Sequence, residues 1–205
     1  MSLQKLNLNF VGLNPILMHN NRLANPLNPY AKALKKLTGK RNKTEADHME
    51  ISRIEWEAGL YLHDGQIVIP SLNILSCLWY GAKKSKRGPK IKIGVNILED
   101  YLPLSYQGPK IKITSASNGT SNGIPIEELD NYYSHYNYIN TVVVEKKSTM
   151  RTRPIFHNWS VQAPLHFEDT IIDEDELIKV AEDAGILVGL GDWRPRFGRF
   201  MVEKV

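Results

Sequence analysis

Residues 159–167 restrict the fold more than any other part of the sequence, because apolar and non-apolar positions alternate there without a break. The apolar members of this segment are Trp159, Val161, Ala163, Leu165 and Phe167. A period of two places all of them on the same side of an extended chain. The pattern therefore predicts a β-strand with one buried face.

A helix, a loop and a second strand are predicted to follow. Asp173 and Glu176 have the spacing of an N-terminal capping pair. Leu177, Val180 and Ala184 continue at helical spacing. The last residues, FMVEKV, have the character of a strand. The C-terminal third is thus predicted as strand, helix, loop and strand.

The N-terminal half combines another strand with helices and a hairpin. Residues 5–12 alternate like a half-buried strand, and residues 30–38 are predicted to form a short basic helix. Thr44 can cap a second helix, and the Asp64-Gly65 pair is a strong hairpin signal. Ser71 is predicted to cap a third helix, whose apolar face we place at Leu72, Leu75, Leu78 or Trp79, and Ala82.

Together these elements predict an α+β fold, a ferredoxin-like (RRM-like) antiparallel sheet with helices on one face and long insertions. We predict a single domain over residues 1–205, which is an ordinary domain length. Its insertions are a basic one at about residues 20–45 and a flexible, Ser-, Asn- and Gly-rich one at about residues 114–140.

The composition limits the location and the chemistry. The N-terminus lacks the layout of a secretory signal, and no apolar run reaches the roughly 18 residues of a membrane span, which predicts a cytoplasmic protein. Cys77 is the only cysteine, so no intrachain disulfide can form. The histidines show no metal-binding spacing, so neither a metal nor a cofactor is predicted.

Positive charge is concentrated in the N-terminal half. Residues 1–113 carry 17 Lys and Arg against 8 Asp and Glu, whereas residues 114–205 carry 9 against 14. The first cluster includes Lys35, Lys36, Lys40 and Arg41, and the second includes Lys83, Lys84, Lys86 and Arg87. Such clusters suit a polyanionic partner, although each one alone can also be a solvated surface.

A third basic element is the segment GLGDWRPRFGRF, between the last helix and the last strand. Gly189 and Gly191 allow close backbone approach to an anion. The charged members Arg194, Arg196 and Arg199 can bind phosphate, and the rings of Trp193 and Phe197 can stack on bases.

Two known phosphate-binding motifs do not fit this segment. The dinucleotide-binding motif follows a strand and opens a helix, whereas the order is reversed here, and the GK[ST] of a Walker loop is absent. The alternative is a tight helix-to-strand turn in which Arg194 and Arg196 pair with the acidic helix at 173–183.

The segment resembles the C-terminal glycine-rich loop of the RAMP superfamily of CRISPR-associated proteins, which includes the Cas5, Cas6 and Cas7 families. Gly189-Leu190-Gly191 matches the first half of that loop, and Phe197-Gly198 matches only the end of the second half, which lacks one glycine. A single chain of 205 residues also resembles a stand-alone, phage-encoded relative of this superfamily. The resemblance implies an RRM-like fold, RNA binding and, for a Cas7-like protein, homo-oligomers along the strand.

These observations predict a non-enzymatic, Cas7-like protein that binds single-stranded RNA or DNA with little dependence on sequence. Arg151 and Arg153 are predicted to lie on a hairpin that grips phosphates. One alternative is a Cas6-like, metal-independent endoribonuclease that uses His19 as general acid or base. The other is a decoy or inhibitor whose partners are CRISPR effector subunits.

Overall fold

A computed structural model describes residues 3–111, 132–144 and 147–205 of the chain. The chain divides into two compact units. The first, here called the sheet unit, contains Met1–Leu17, Ile67–Gln107 and Phe156–Val205. The second, the hairpin unit, contains Met18–Gln66 and Gly108–Ile155. Both insertions expected from the sequence fall in the hairpin unit, and much of the one at about 114–140 lies outside the described residues.

The strands and helices follow one another along the chain as the sequence broadly predicts. The strands are β1 (Leu3–Gly12), β2 (Ile16–Leu17), β3 (Leu62–His63), β4 (Gln66–Pro70), β5 (Val95–Asn96), β6 (Tyr101–Ser105), β7 (Asn137–Val144), β8 (Lys147–Phe156), β9 (Ser160–Glu168) and β10 (Phe200–Lys204). The helices are α1 (Pro29–Thr38), α2 (Glu45–Gly59), α3 (Ser71–Lys84), α4 (Gly88–Gly94) and α5 (Glu174–Leu187).

The strands of the sheet unit form an antiparallel sheet. Its order is β10-β1-β9-β6-β4, and β5 pairs with another part of β9. Each of these pairings is antiparallel. The expected α+β class and antiparallel sheet are thus confirmed.

One face of this sheet is buried, as the alternation in β9 predicts. In the register of β1 and β9, Leu8 lies opposite Ala163 and Phe10 lies opposite Val161, and all four are buried. The ring of Phe10 stacks on that of Phe200, with centroids 4.7 Å apart. Helix α5 covers this face, because a Cβ on its Gly185 would stand 2.3 Å from the carbonyl oxygen of Phe200.

Helix α3 packs on α5 through a face that matches the predicted one only in part, because Leu78 and Ala82 are buried as expected. Leu72 was expected in the core but is 74% exposed, whereas Ile74 and Cys77 are buried. The reason is Gly81, where an added Cβ would lie 2.6 Å from the Cβ of Ala184. The two helices thus approach each other closely on the side of α3 that carries small residues. A prediction based on the positions of large apolar residues overlooks such a side.

The hairpin unit is built from α1, α2 and the antiparallel pair β7 and β8. The capping box of α2 is formed by Thr44 and Asp47, as the sequence predicts. Trp56 is fully buried and its indole N–H donates to the carbonyl of Tyr136, at 2.9 Å. No helix in the described part of the chain is long and apolar enough to cross a membrane.

Candidate nucleic-acid interface

The loop between α5 and β10 is held in one conformation by its glycines. Gly198 has a φ of 73°, and a Cβ there would stand 1.7 Å from the carbonyl oxygen of Leu190. Gly191 has a φ of 82°, and its Cβ would stand 2.2 Å from the carbonyl oxygen of Leu17. Any other residue at either position would combine an unfavourable φ with a backbone clash, so the sequence allows this loop only because glycine is present.

Backbone hydrogen bonds tie the loop together and to the segment after β1. The N–H of Leu190 donates to the carbonyl of Gly198 at 2.8 Å, and the N–H of Gly198 donates to that of Pro15 at 2.9 Å. The N–H of Asp192 donates to Leu17 at 2.8 Å. These donors are committed within the protein, so they are not available to cradle a phosphate.

The side chain of Asn14 closes the loop from the other side. Its amide N–H donates to the carbonyl of Arg196 at 2.7 Å, and its amide oxygen accepts from the N–H of Arg199 at 2.8 Å. The carbonyl of Asn14 itself accepts from the indole N–H of Trp159, at 2.8 Å. The buried Trp159, which directly precedes β9, thereby holds Asn14 in place, and Asn14 in turn holds the arginine-bearing loop.

Gly189 and Gly191, which were predicted to approach an anion, instead determine the backbone conformation of the loop. The N–H of Gly189 donates to the carbonyl of Ala184, which completes the C-terminal end of α5, and its carbonyl accepts from the thiol of Cys77. Burial raises the pKa of that thiol to about 12, so it stays protonated and able to donate.

The three loop arginines, Arg194, Arg196 and Arg199, project from this fixed backbone into solvent. All three are exposed. Among residues 3–111, 132–144 and 147–205, their guanidinium groups have no ion pair and no hydrogen bond. Their charge is therefore available to an anionic ligand.

The acidic residues of α5 pair with other cations. Glu176 contacts Arg87 at 2.6 Å and Lys90 at 2.8 Å, and Asp183 contacts Lys179 at 2.9 Å. The alternative in which Arg194 and Arg196 pair with this helix is thus not what the described residues show. The same contacts place Arg87 in an internal ion pair, which makes it a less accessible cation than the sequence suggests.

The other cations of the second cluster lie at the C-terminal end of α3 and just after it. Lys83, Lys84 and Lys86 are exposed. The ammonium of Lys83 lies 3.6 Å from the ring centroid of Trp79, a cation–π contact that holds it against the helix. Lys84 is one turn beyond Tyr80, on the same side of α3.

Lys84 and Arg194 meet at an open cleft in the sheet unit. The cleft has a volume of about 270 Å³ and is lined by Tyr80, Lys84, Leu187, Val188, Arg194 and Pro195. The second basic cluster and the arginine-bearing loop, which are far apart in sequence, are thus brought together by the packing of α3 on α5.

The predicted stacking residues Trp193 and Phe197 are half-buried and contact each other. Their ring centroids are 6.3 Å apart, at an interplanar angle of 51°. Because the two rings are tilted against each other, they do not form a pair of parallel platforms. Trp193 also has a positive φ of 50°, which turns the chain just before Arg194.

The remaining predicted cations belong to the hairpin unit. Lys35, Lys36 and Arg41 are exposed. Lys40 binds Asp47 at 2.6 Å, and this bond, with one from the Thr44 backbone, lowers the pKa of Asp47 to about 2. That ion pair is therefore formed at neutral pH, and Lys40 is engaged.

The arginines of the predicted gripping hairpin are half-buried on β8. Arg151 forms an ion pair with Glu55, which also accepts from the N–H of Thr152 at 2.9 Å. Arg153 lies opposite Tyr138 in the register of β7 and β8. Arg151 thus contributes to the packing of its own unit.

His19, the residue of the endoribonuclease hypothesis, is an exposed residue of the hairpin unit. Its carbonyl accepts a hydrogen bond from the hydroxyl of Tyr61, at 3.0 Å. Across the described ranges, no group of three His, Cys, Asp or Glu side chains lies close enough to hold a metal ion. The catalytic role of His19 stays a prediction.

Tyr80 and Asn14 are the residues of this surface that sequence reasoning misses. The signal for Tyr80 is its spacing of four residues from Lys84, which places both on one side of a helix. Asn14 carries no such signal, because its partners are 182 and 185 residues away in the chain.

No protein-family model matches the sequence, and no similarity to a curated protein was found.

Proposed function

We propose that the protein binds single-stranded nucleic acid through the sheet unit, with little dependence on base sequence. The observation that carries this proposal is the cleft at which Lys84 of α3 and Arg194 of the loop meet beside Tyr80. Cations next to an aromatic side chain are the combination that single-strand-binding surfaces use for phosphates and bases.

The state of the arginines supports side-chain recognition of phosphate. Arg194, Arg196 and Arg199 are exposed on a loop whose backbone is fixed by hydrogen bonds. Because the loop is already ordered, binding costs little further backbone entropy. Guanidinium groups bind phosphate oxygens in a fixed fork geometry without contacting the base edges that carry sequence information.

We further propose that the sheet unit is a ferredoxin-like core and that the protein is a Cas7-like relative of the RAMP superfamily. In its support, β1, α3, β6, β9, α5 and β10 occur along the chain in the order βαββαβ, with further elements inserted between them, and the four strands lie in the sheet in the order β10-β1-β9-β6. A ferredoxin-like fold has the same succession of elements, which supports this proposal. The arginine-bearing loop lies between the last helix and the last strand, as the glycine-rich loop does in that superfamily.

The proposal predicts binding that weakens steeply with salt. If Lys84, Arg194, Arg196 and Arg199 each neutralise one phosphate, the logarithm of the association constant falls against the logarithm of salt concentration with a slope of about −3. Fluorescence anisotropy with a labelled oligothymidine of about 16 nucleotides, between about 50 and 200 mM salt, measures this slope.

A duplex of the same length is the matched control, and we expect it to bind more weakly because its bases are not accessible to Tyr80. Absence of binding at the lowest salt concentration, or an affinity that does not change with salt, would contradict the proposal.

A further inference from the structure

The cleft beside α3 is small and open to solvent. Its volume of about 270 Å³ is room for about nine water molecules and is below the roughly 300 Å³ at which pockets for larger organic ligands begin. Because the cleft is open to solvent, a base can lie in it while its sugar and phosphates remain outside.

The apolar part of the lining suits the face of a base. Tyr80 is 44% exposed, and its ring is buttressed by Trp79, with centroids 4.9 Å apart. Leu187, 49% exposed, and Val188 come from the last turn of α5 and the residue after it. Pro195 supplies a further apolar surface from the loop. A flat aromatic group can bury area against these side chains without any hydrogen bond that would select one base.

The charged part of the lining suits the phosphates on either side of that base. Lys84 enters from α3 and Arg194 enters from the loop, so the cations come from two separate elements. Two hydrogen bonds hold the backbone on either side of Arg194. The N–H of Asp192 donates to the carbonyl of Leu17, and the side-chain amide of Asn14 donates to the carbonyl of Arg196. The backbone that carries Arg194 is thus in place before a ligand arrives.

We infer that this cleft is a subsite for a single unpaired nucleotide, with its base against Tyr80 and its flanking phosphates on Lys84 and Arg194. The inference rests on the proposed function and deepens it, because it names the unit that is recognised and the residue that recognises the base. A paired base cannot enter, since its Watson–Crick edge and its neighbours are held in the duplex stack.

Replacing Tyr80 by alanine tests the subsite, with Tyr80→Phe and Tyr101→Ala as controls. Tyr101 lies on β6 of the same unit and is 43% exposed, so its replacement removes a comparable surface ring. We expect Tyr80→Ala to weaken binding of a labelled oligothymidine by about 5- to 100-fold, as loss of one base-stacking contact does. The salt slope should not change, because no charge is removed. Tyr101→Ala should bind like the wild-type protein, whereas Tyr80→Phe, which keeps an aromatic ring, should recover most of the affinity that Tyr80→Ala loses.

The same oligothymidine with abasic residues provides a second readout that needs no variant. The wild-type protein should bind it more weakly than the intact strand, and Tyr80→Ala should no longer distinguish the two. The subsite is wrong if the wild-type protein binds both strands equally, or if Tyr80→Ala binds the intact strand like the wild-type protein. If binding in either case still weakens with salt, the proposed function stands. If the wild-type protein binds neither strand at low salt, the proposed function itself fails.

Discussion

Replacing Arg194 and Arg196 together by alanine is expected to weaken binding of single-stranded oligonucleotide by about 100-fold, which corresponds to roughly 1.5 kcal/mol for each charge-assisted hydrogen bond. Both side chains are exposed and have no ionic partner within the described part of the chain. Their loss therefore removes contacts to phosphate without leaving a buried acidic group unpaired. The salt slope should fall by about 1.4, at roughly 0.7 for each phosphate contact. Anisotropy titrations at several salt concentrations measure both quantities.

The matched control for this variant removes the same charge from another part of the same unit. Lys179 and Lys204 are exposed and pair with Asp183 and Glu174. The variant Lys179→Ala with Lys204→Ala has the same net charge as the arginine variant. It should keep most of its affinity, because only long-range attraction is reduced. Equal losses in the two variants would mean that overall charge, and not the loop, determines binding.

Gly198→Ala is expected to lower the free energy of unfolding by about 3 kcal/mol, the largest stability effect that the structure suggests for a single methyl group. The new Cβ would stand 1.7 Å from the carbonyl oxygen of Leu190. The residue would also have to keep a φ of 73°, which L-residues avoid. To relieve this clash, the backbone would have to shift and distort the two hydrogen bonds that Gly198 forms with Leu190 and Pro15. Urea unfolding, followed by tryptophan fluorescence, measures the loss.

Gly65→Ala separates the two causes of this effect. Gly65 has a similar φ of 71° but lies in the hairpin turn after β3, where it is half-exposed. We expect this variant to lose about 1–2 kcal/mol, the cost of the left-handed conformation alone. If Gly198→Ala is no more destabilised than Gly65→Ala, the loop is not held as tightly as its hydrogen bonds indicate.

The fold was predictable where periodicity and capping determine it. The alternation in residues 159–167 corresponds to β9, and the Thr44 and Asp47 pair caps α2 as expected. These signals are local, because they follow from the geometry of a single strand or helix. The predicted face of α3 was right at Leu78 and Ala82 but wrong at Leu72, because the packing depends on the contact of Gly81 with Ala184 of another helix.

The residue types of the candidate site were predictable from the sequence, but the ion-pair partners of its basic residues were not. The loop arginines are exposed as a phosphate-binding role requires. Arg87, Lys40 and Arg151 carry the same charge but are paired with acidic residues. The partners of Arg87 and Arg151 are 89 and 96 residues away in the chain. A charge count along the sequence treats all basic residues alike, so only the folded structure separates the accessible cations from the engaged ones.

The loop and the end of α3 are expected to contact the same nucleic-acid strand, and photo-crosslinking tests this most directly. The protein would be irradiated with an oligonucleotide that contains bromodeoxyuridine, and the crosslinked peptides would be identified by mass spectrometry. We expect crosslinks at Tyr80 and within residues 193–199, both lost in the variant that lacks Arg194 and Arg196. Crosslinks confined to the hairpin unit, or spread evenly over both units, would contradict it.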